Sequence, residues 1–251
     1  MVSIVIPAYN EEKALPHTLG ELFCQSGDYE VIVVDGGSTD RTLAIVESFG
    51  FIAMSIQHSP LNIQHSFVPS PLTPHPSRLF LTAPKGRASQ MNAGAKQAQG
   101  DWLLFLHADT VLPPGAIQRL NDMEADQAIQ AGGFMHRFSG DDWRLKVISF
   151  LDNFRCIRSR IIYGDQALFV RRSLFGQLGG FPKLPILEDV ALCERLLTVT
   201  RPLLLSEAVV TDARKFLKMG VWSSFIRVLL IILHVEFRLP VLPRAFFQDI
   251  R

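Results

Sequence analysis

The chain has 251 residues, 48% of them hydrophobic and 20% charged, with a formal net charge of +1. This size and hydrophobic content allow one substantial core and exclude general disorder, and the near-neutral charge argues against a nucleic-acid partner. Three cysteines without a C-x-x-C spacing indicate neither a disulfide framework nor a zinc site, so we interpret Cys24, Cys156 and Cys193 as buried thiols in a reducing compartment.

The first 56 residues alternate between strand and helix patterns. Residues 2–6 form an apolar run without a basic leader before it, which predicts a buried strand and a domain that faces the cytoplasm. Helical spacing of apolar residues predicts a helix over 11–23 with Asn10 as its N-cap. The pattern continues with a strand at 30–34, a helix from about 38 to 49 and a strand at 51–56. This order predicts a parallel sheet.

Residues 57–77 interrupt the alternation with five prolines and three histidines. No helical or strand period is present there, so we expect a flexible surface insertion. The histidines are seven and ten residues apart, which fits no compact set of metal ligands.

Strand and helix patterns resume after the insertion. The uninterrupted apolar run at 102–106 predicts a central strand. The other predicted elements are helices at 86–99, 115–123, 143–158, 171–178 and 188–197 and strands at 131–138 and 167–170.

The C-terminal stretch 215–239 is apolar on nearly all sides, but charged residues interrupt it before an uncharged window reaches the length of a membrane span. From residue 201 onward the chain carries eight basic and four acidic side chains. This pattern suits a helix lying on a membrane surface, and it equally suits a helix packed on the core or on a second subunit, so a homodimer also stays open. We expect a domain at 1–212 and a helical tail at 213–251.

The end of the second predicted strand carries groups suited to a nucleotide. Asp35 can accept a hydrogen bond from a base N–H, and Gly36 lets the backbone approach a ligand closely. The alternative is that Asp35 only caps the next helix. Lys85 and Arg87 precede and open the helix at 86–99, where positive charge suits a diphosphate; a solvated basic turn is the alternative.

The end of the central strand carries a candidate metal ligand. Asp109 can coordinate Mg²⁺ or Mn²⁺ held mainly by phosphate oxygens, because such sites use only one or two protein carboxylates. His107, two residues earlier, points to the same side of an extended chain and could be a second ligand. It could equally donate a hydrogen bond to a sugar or phosphate.

An acidic pair opens the helix at 188–197. The positive end of the helix dipole favours a charged carboxylate at Asp189, which could take the proton of an attacking alcohol. Glu188 beside it could orient the acceptor or a neighbouring side chain. Acids are common at helix N-termini, so this pair alone is a weak signal.

Together these segments resemble the inverting family-2 glycosyltransferases with the GT-A fold, an α/β fold with a mainly parallel sheet. The resemblance covers about residues 2–215 and is carried by three runs, Gly86-Arg87-Ala88-Ser89-Gln90-Met91-Asn92-Ala93-Gly94, Phe105-Leu106-His107-Ala108-Asp109-Thr110 and Tyr163-Gly164-Asp165-Gln166. It implies a nucleoside-diphosphate sugar as donor, with a UDP-sugar favoured, and an acceptor alcohol that the apolar tail suggests is lipid-linked.

The resemblance also assigns roles to residues. Pro7, Tyr9 and Glu11 would line the nucleotide pocket, and Asp35 would bind the base. Asp109 would match the last acid of the D-x-D metal motif and Asp189 the base of the E-D motif. Residues 179–181 would face the donor sugar and acceptor.

One departure from the family pattern matters, because His107 stands where the first acid of D-x-D is expected. The predicted function is a metal-assisted glycosyltransferase that is cytoplasmic and peripheral at the inner face of the cell membrane. The alternative is a catalytically weak, membrane-associated interaction protein that binds sugar nucleotides. A nucleotidyltransferase is disfavoured because no glycine-rich basic loop follows the first strand, and an oxidoreductase because no G-x-G-x-x-G follows a strand.

Overall fold

The computed structural model describes residues 1–54, 77–184 and 186–236. The predicted insertion at 57–77 lies outside these residues except for Ser77, and so does the end of the tail helix predicted at 215–239.

Strands and helices alternate through most of the described chain. The strands are β1 (Val2–Ala8), β2 (Tyr29–Asp35), β3 (Ile52–Ala53), β4 (Arg78–Thr82), β5 (Trp102–Phe105), β6 (Thr110–Val111), β7 (Ala131–Phe138), β8 (Phe169–Arg171) and β9 (Leu203–Thr211). The helices are α1 (Leu15–Phe23), α2 (Thr42–Ser48), α3 (Arg87–Gln97), α4 (Ala116–Asp122), α5 (Trp143–Ser159), α6 (Arg172–Gln177), α7 (Glu188–Leu197), α8 (Arg214–Met219) and α9 (Val221–Glu236). A 3₁₀ turn, Gly164–Gln166, precedes β8.

The described strands form one sheet in the order β3-β4-β2-β1-β5-β8-β7-β9-β6. β1 lies between β2 and β5 and pairs in parallel with both, whereas β8 runs antiparallel to β5. The α/β architecture with a mostly parallel central sheet, predicted from the sequence, is therefore confirmed.

Alternate side chains of the central strands point into two cores, one on each face of the sheet. Ile4 and Ile6 of β1 pack with α1, α2 and α4, and Val5 packs with α3, α6 and α7. Because helices cover both faces, the central strands are apolar throughout rather than alternating, as the run at 102–106 indicated.

The first helix begins later than predicted, at Leu15 instead of residue 11. Asn10 is not its N-cap: it has a φ of 55°, and its side chain accepts a hydrogen bond from the Thr39 N–H. The Glu11 and Glu12 N–H groups donate to Thr42 and Asp40. The first turn of a helix leaves its backbone N–H groups without partners inside the helix. Here two of these N–H groups donate to the next loop instead, the helix begins only at Leu15, and the prediction of a helix from residue 11 was wrong.

Three strands were not predicted at all: β4, β6 and β9. β4 follows directly on the interrupted region, and β6 has only two residues, so neither gives a periodic signal of useful length. β9 is bent by an irregularity opposite the Phe134/Met135 step of β7.

The cysteines divide between surface and interior. Cys156 and Cys193 are buried as predicted, and burial raises the pKa of the Cys156 thiol to about 11 and that of Cys193 further. Cys24 is exposed at the end of α1, so the prediction of burial was wrong for this residue.

The tail is not one continuous helix, because Gly220 with a φ of 86° separates α8 from α9. Within the described residues, none of the helices has both the length and the hydropathy that crossing a bilayer requires.

Candidate active site

The carboxyl ends of β1, β2 and β5 meet at one edge of the sheet. Ala8 at the end of β1 is in register with Asp35 at the end of β2, and the segment that follows β5 carries His107 and Asp109. In open α/β sheets this edge is the usual place for a ligand.

Asp35 is held inside its own turn. Its side chain is buried and accepts hydrogen bonds from the Gly37 N–H at 2.8 Å and from the Ser38 N–H and hydroxyl at 3.0 and 2.5 Å. The carboxylate therefore shapes the loop after β2. It does not cap the next helix, which begins at Thr42 with Arg41 as its N-cap residue, so that alternative was wrong, and a contact with a nucleobase stays a prediction.

Two residues predicted to contact the nucleotide are in contact with each other. The Lys85 ammonium lies 3.9 Å from the centre of the Tyr9 ring, so an aromatic face and a cation stand side by side beyond the end of β1. Pro7, by contrast, is buried within β1. Gly36 lies against Gln90, whose side chain a Cβ at Gly36 would approach to 3.1 Å.

The α3 residues of the first motif mainly connect other elements. The buried Gln90 amide donates to the Ala8 and Val34 carbonyls, at 2.8 Å each, and so ties the ends of β1 and β2 together. Asn92 donates to the Phe181 carbonyl at 2.8 Å and accepts from its N–H at 2.9 Å, which anchors the loop at 179–181. At Gly94 a Cβ would overlap the Val5 side chain, so glycine permits the close approach of α3 to β1.

Arg87, at the start of α3, forms an ion pair with Glu188, at the start of α7. The guanidinium Nε lies 2.8 Å from Glu188 Oε1; the Glu188 side chain is 2% exposed and that of Arg87 is 46% exposed. Glu188 is thus oriented by Arg87 and joins the two helix N-termini.

Asp189 lies next to His107, and Gly164 is the link between them. The Gly164 N–H donates to Asp189 Oδ2 at 2.7 Å, while the Val190 N–H donates to Oδ1 at 2.8 Å. A Cβ at Gly164 would lie 2.5 Å from His107 Nε2 and 3.3 Å from Asp189 Oδ2. The distance between His107 Nε2 and Asp189 Oδ2 is therefore no more than the sum of these two distances. The carboxylate therefore has a fixed orientation beside the end of β5.

Two non-glycine residues near Asp189 adopt left-handed backbone conformations. Leu187, directly before the acidic pair, has a φ of 61°, and Ala167, after the 3₁₀ turn, has a φ of 48°. Residues with a Cβ rarely adopt this conformation, and such positions concentrate at functional sites. They support the assignment of this edge as the site.

Asp165, the neighbour of Gly164, faces a buried imidazole. Asp165 Oδ2 lies 3.7 Å from His136 Nε2, and Asp152 Oδ2 lies 3.9 Å from His136 Nδ1. Burial raises the pKa of Asp165; Asp152 and Asp189 add to the rise, and His136 opposes it. The carboxyl of Asp165 therefore holds its proton more tightly in the folded state than in the unfolded state. As pH rises past the ordinary pKa of an aspartate, the unfolded state releases this proton first, so the free energy of unfolding falls.

Asp109 lines a cleft of about 410 Å³ beside the start of α1. Five carboxylates and three basic side chains line it; they are Glu11, Glu12, Asp40, Asp109 and Asp212, and Lys13, Arg214 and Lys218. The Asp212 N–H donates to the Asp109 carbonyl at 2.9 Å, which fixes this segment against the end of β9.

The donor set around Asp109 fits a cation that takes most of its ligands from phosphate. Within the described part of the chain, no three His, Cys, Asp or Glu side chains are gathered so that they could hold a metal on their own. Mg²⁺ and Mn²⁺ bound with a nucleotide need only one or two protein carboxylates, which Asp109 and its acidic neighbours can supply. His107 adds an imidazole that Mn²⁺ accepts.

Sequence reasoning missed two contributors to this edge. Gly164 was identified only as part of a motif, and its link to Asp189 spans 25 positions, which no local pattern indicates. Asp212 was missed because β9 was not predicted. With β9 recognised, an acid directly after it would have been a candidate for the same reason as Asp35.

Replacing Gly164 by Ala tests whether this arrangement matters. The new methyl group would force His107 aside, so we expect the sugar transfer predicted from the sequence to slow about tenfold or more. The free energy of unfolding should change by only about 1 kcal/mol, because the backbone conformation suits alanine. Gly176→Ala, with open space around its Cβ position, is the control. Equal turnover in the two variants would show that the position of His107 is unimportant.

A model of glycosyl transferase family 2 matches residues 3–59 and 61–180 of the chain. The chain is 31% identical over 191 residues to a PGL/p-HBAD biosynthesis glycosyltransferase of Mycobacterium bovis, covering 72% of this chain and 63% of that protein. It is 32% identical over 156 residues to an undecaprenyl-phosphate 4-deoxy-4-formamido-L-arabinose transferase of Proteus mirabilis, covering 61% of this chain and 42% of that protein. The chain thus spans less than two thirds of the length of these curated relatives.

Solved structures share the fold. The mannosyltransferase PcManGT from Pyrobaculum calidifontis, in complex with GDP-Man and Mn²⁺, superposes with a TM-score of 0.68 at 20% identity, covering 98% of this chain and 67% of that chain. TarS 1-349 from S. aureus in complex with UDP-GlcNAc gives a TM-score of 0.58 at 21% identity, covering 98% and 69%. At these identities the likeness extends to the fold alone.

Proposed function

The chain belongs to glycosyl transferase family 2, and from this membership we propose that it transfers a sugar from a nucleoside-diphosphate sugar to an acceptor hydroxyl with inversion at the anomeric carbon. The observation that carries the proposal is the position of Asp189, whose carboxylate is held by the Gly164 N–H beside His107 at the end of β5.

In the proposed reaction Asp189 removes the proton of the acceptor hydroxyl. The hydroxyl oxygen forms a bond to the anomeric carbon on the face opposite the diphosphate, and the bond from that carbon to the diphosphate oxygen breaks. The proton stays on Asp189, and the nucleoside diphosphate leaves with the bonding electrons. General-base help of this kind is usually worth about 10²–10⁴-fold in rate.

We propose that Asp109 holds a divalent cation, Mn²⁺ or Mg²⁺, together with the donor diphosphate, and that His107 lies within reach of the same phosphates. When bound, the cation supplies Lewis-acid stabilisation of the leaving diphosphate. Tyr9, Lys85 and Glu11 are proposed to line the nucleotide side of the site, and Asp35 to shape the loop that receives the base.

Substrate classes follow from chemistry and from the relatives. A UDP-sugar is the favoured donor; solved neighbours hold UDP-GlcNAc or GDP-Man. The Proteus relative is named for undecaprenyl phosphate, whose nucleophile is a phosphate oxygen; it supports the lipid anchor of the acceptor, while the reaction proposed here keeps a hydroxyl as the nucleophile. The division into a transferase domain at 1–212 and a helical tail at 213–251, and peripheral attachment to the inner face of the membrane, are part of the same proposal.

A screen of nucleotide sugars with Mn²⁺ and membrane lipid extracts, with released nucleoside diphosphate as the readout, tests the proposal. Turnover on one donor class that depends on added lipid supports it. Tight nucleotide binding without turnover on any donor would instead favour the alternative of a catalytically weak binding protein.

We expect Asp109→Asn to raise the Mn²⁺ concentration needed for half-maximal activity at least about tenfold, because a direct carboxylate ligand is lost. Electron paramagnetic resonance of Mn²⁺ with the nucleoside diphosphate gives a readout independent of turnover. Asp122→Asn is the control, because Asp122 is an exposed acid of α4 that does not line the cleft. Equal effects in both variants would contradict a specific role for Asp109.

A further inference from the structure

Helix α5 presents an apolar face to solvent. Its exposed apolar residues recur every three or four positions and therefore share one side of the helix. They are Trp143, Val147, Phe150, Leu151, Phe154 and Ile157, between 42 and 69% exposed. We refer to these six residues as the α5 face. Surface helices normally direct such a stripe to the core. On α5 the stripe faces solvent, and the described residues leave it exposed.

The α5 face continues onto the tail helices. The Trp143 and Trp222 rings meet edge to face with centroids 6.3 Å apart. On α9, Ile226 and Leu229 follow Trp222 by four and seven positions and so share its side of the helix; they are 54 and 42% exposed. Leu217 and Met219 of α8 are exposed as well, at 51 and 50%. Exposed apolar surface of this extent marks a site of interaction with a protein or a membrane.

The charge around this surface favours an anionic partner. Residues 141–160 contain five basic and three acidic side chains, and residues 212–236 contain four basic and two acidic side chains, which leaves a net charge of +4 over the two segments. Arg158 and Lys218 are exposed on these helices, whereas Lys146 is paired with Asp141. Anionic lipid headgroups complement such a basic rim, and a second copy of the same face would bring like charges together.

The same helix supports the candidate site from its other side. Arg155 of α5 stacks on the Tyr163 ring at 3.6 Å and forms an ion pair with Asp152. Tyr163 is followed by Gly164, which holds Asp189. The α5 face is therefore on the opposite side of α5 from the segment that positions the proposed base, Asp189.

We propose that the α5 face, with the exposed apolar residues of α8 and α9, docks onto a bilayer surface that contains anionic lipids. The aromatic and aliphatic side chains enter the boundary between headgroups and acyl chains, and the basic rim stays among the headgroups. This surface gives the peripheral attachment in the proposed function its contact residues. Docking also places Asp189 near lipid-borne acceptors, and that step rests on the proposed transfer reaction.

Co-sedimentation of the full chain with vesicles tests the docking without donor or acceptor, so its outcome is separate from that of the transferase assay. We expect binding to vesicles of phosphatidylcholine with phosphatidylglycerol, weaker binding to phosphatidylcholine alone, and loss of affinity as salt rises. The double variant Phe150→Glu/Phe154→Glu should lower the affinity about 100-fold, because each buried aromatic side chain contributes about tenfold or more. Both residues are more than half exposed, so the fold should be retained.

The matched control is Ile52→Glu/Val199→Glu, which places the same charges at apolar residues 57 and 60% exposed outside these helices, and its affinity should equal that of the unchanged chain. Three results would overturn the proposal. They are no binding of the unchanged chain to anionic vesicles, equal binding by the Phe150/Phe154 variant, and a dimer that this variant converts to monomer without any vesicle binding.

Discussion

Asp189→Asn is expected to lower turnover by about 10²–10⁴-fold, because asparagine cannot take the proton of the acceptor hydroxyl. The affinity for the nucleoside diphosphate should be unchanged, since the Asp189 carboxylate is bound by the Gly164 and Val190 N–H groups of its own surroundings. Single-turnover rates with saturating donor, together with calorimetry of nucleotide binding, separate the two effects.

Glu194→Gln is the control for this variant, because Glu194 lies on the same helix with its side chain exposed to solvent. Its turnover should equal that of the unchanged protein. A variant Asp189→Asn with undiminished turnover would remove Asp189 as the base and leave the family assignment without the mechanism proposed here.

The second large effect is expected at Arg87. Arg87→Met should lower the free energy of unfolding by about 1–2 kcal/mol, less than the loss for a fully buried ion pair, because Glu188 is 2% exposed but Arg87 is 46% exposed and partly screened by water. Denaturant unfolding monitored by circular dichroism measures the change. Turnover should fall as well, since Glu188 directly precedes Asp189 at the start of α7.

The double variant Arg87→Met/Glu188→Gln separates structure from ligand binding. With the charge at 188 removed, most of the lost stability should return, and with the single variant Glu188→Gln completing the cycle the coupling energy should be about 1 kcal/mol. If Arg87→Met instead leaves stability unchanged and only weakens nucleotide binding, Arg87 contacts the diphosphate, as its position after Lys85 first indicated, and the ion pair is unimportant.

The candidate site residues were identified mainly from strand ends. Asp35, Asp109 and His107 were identified because each follows an apolar run, and a run of that kind can be recognised within a few residues. The acidic pair at the start of α7 was found in the same way, from a helix whose predicted and observed bounds agree.

The contacts of the run at 86–94 on α3 could not be predicted from local sequence. Gln90 and Asn92 were identified only as members of the run at 86–94. Gln90 donates to carbonyls at the ends of β1 and β2, and Asn92 binds the backbone of Phe181, which lies 89 positions away. The residue types were visible, and what they bind was not.

Local pattern was sufficient for the alternation of strands and helices, the parallel sheet and the edge where acids gather, because each depends on hydrophobic periodicity over a few residues. Tertiary structure decided that Arg87 meets Glu188, that Gly164 joins His107 to Asp189, and that α1 begins at Leu15. Those outcomes depend on which buried polar groups find partners across the fold, and satisfying them is a property of the whole packed chain.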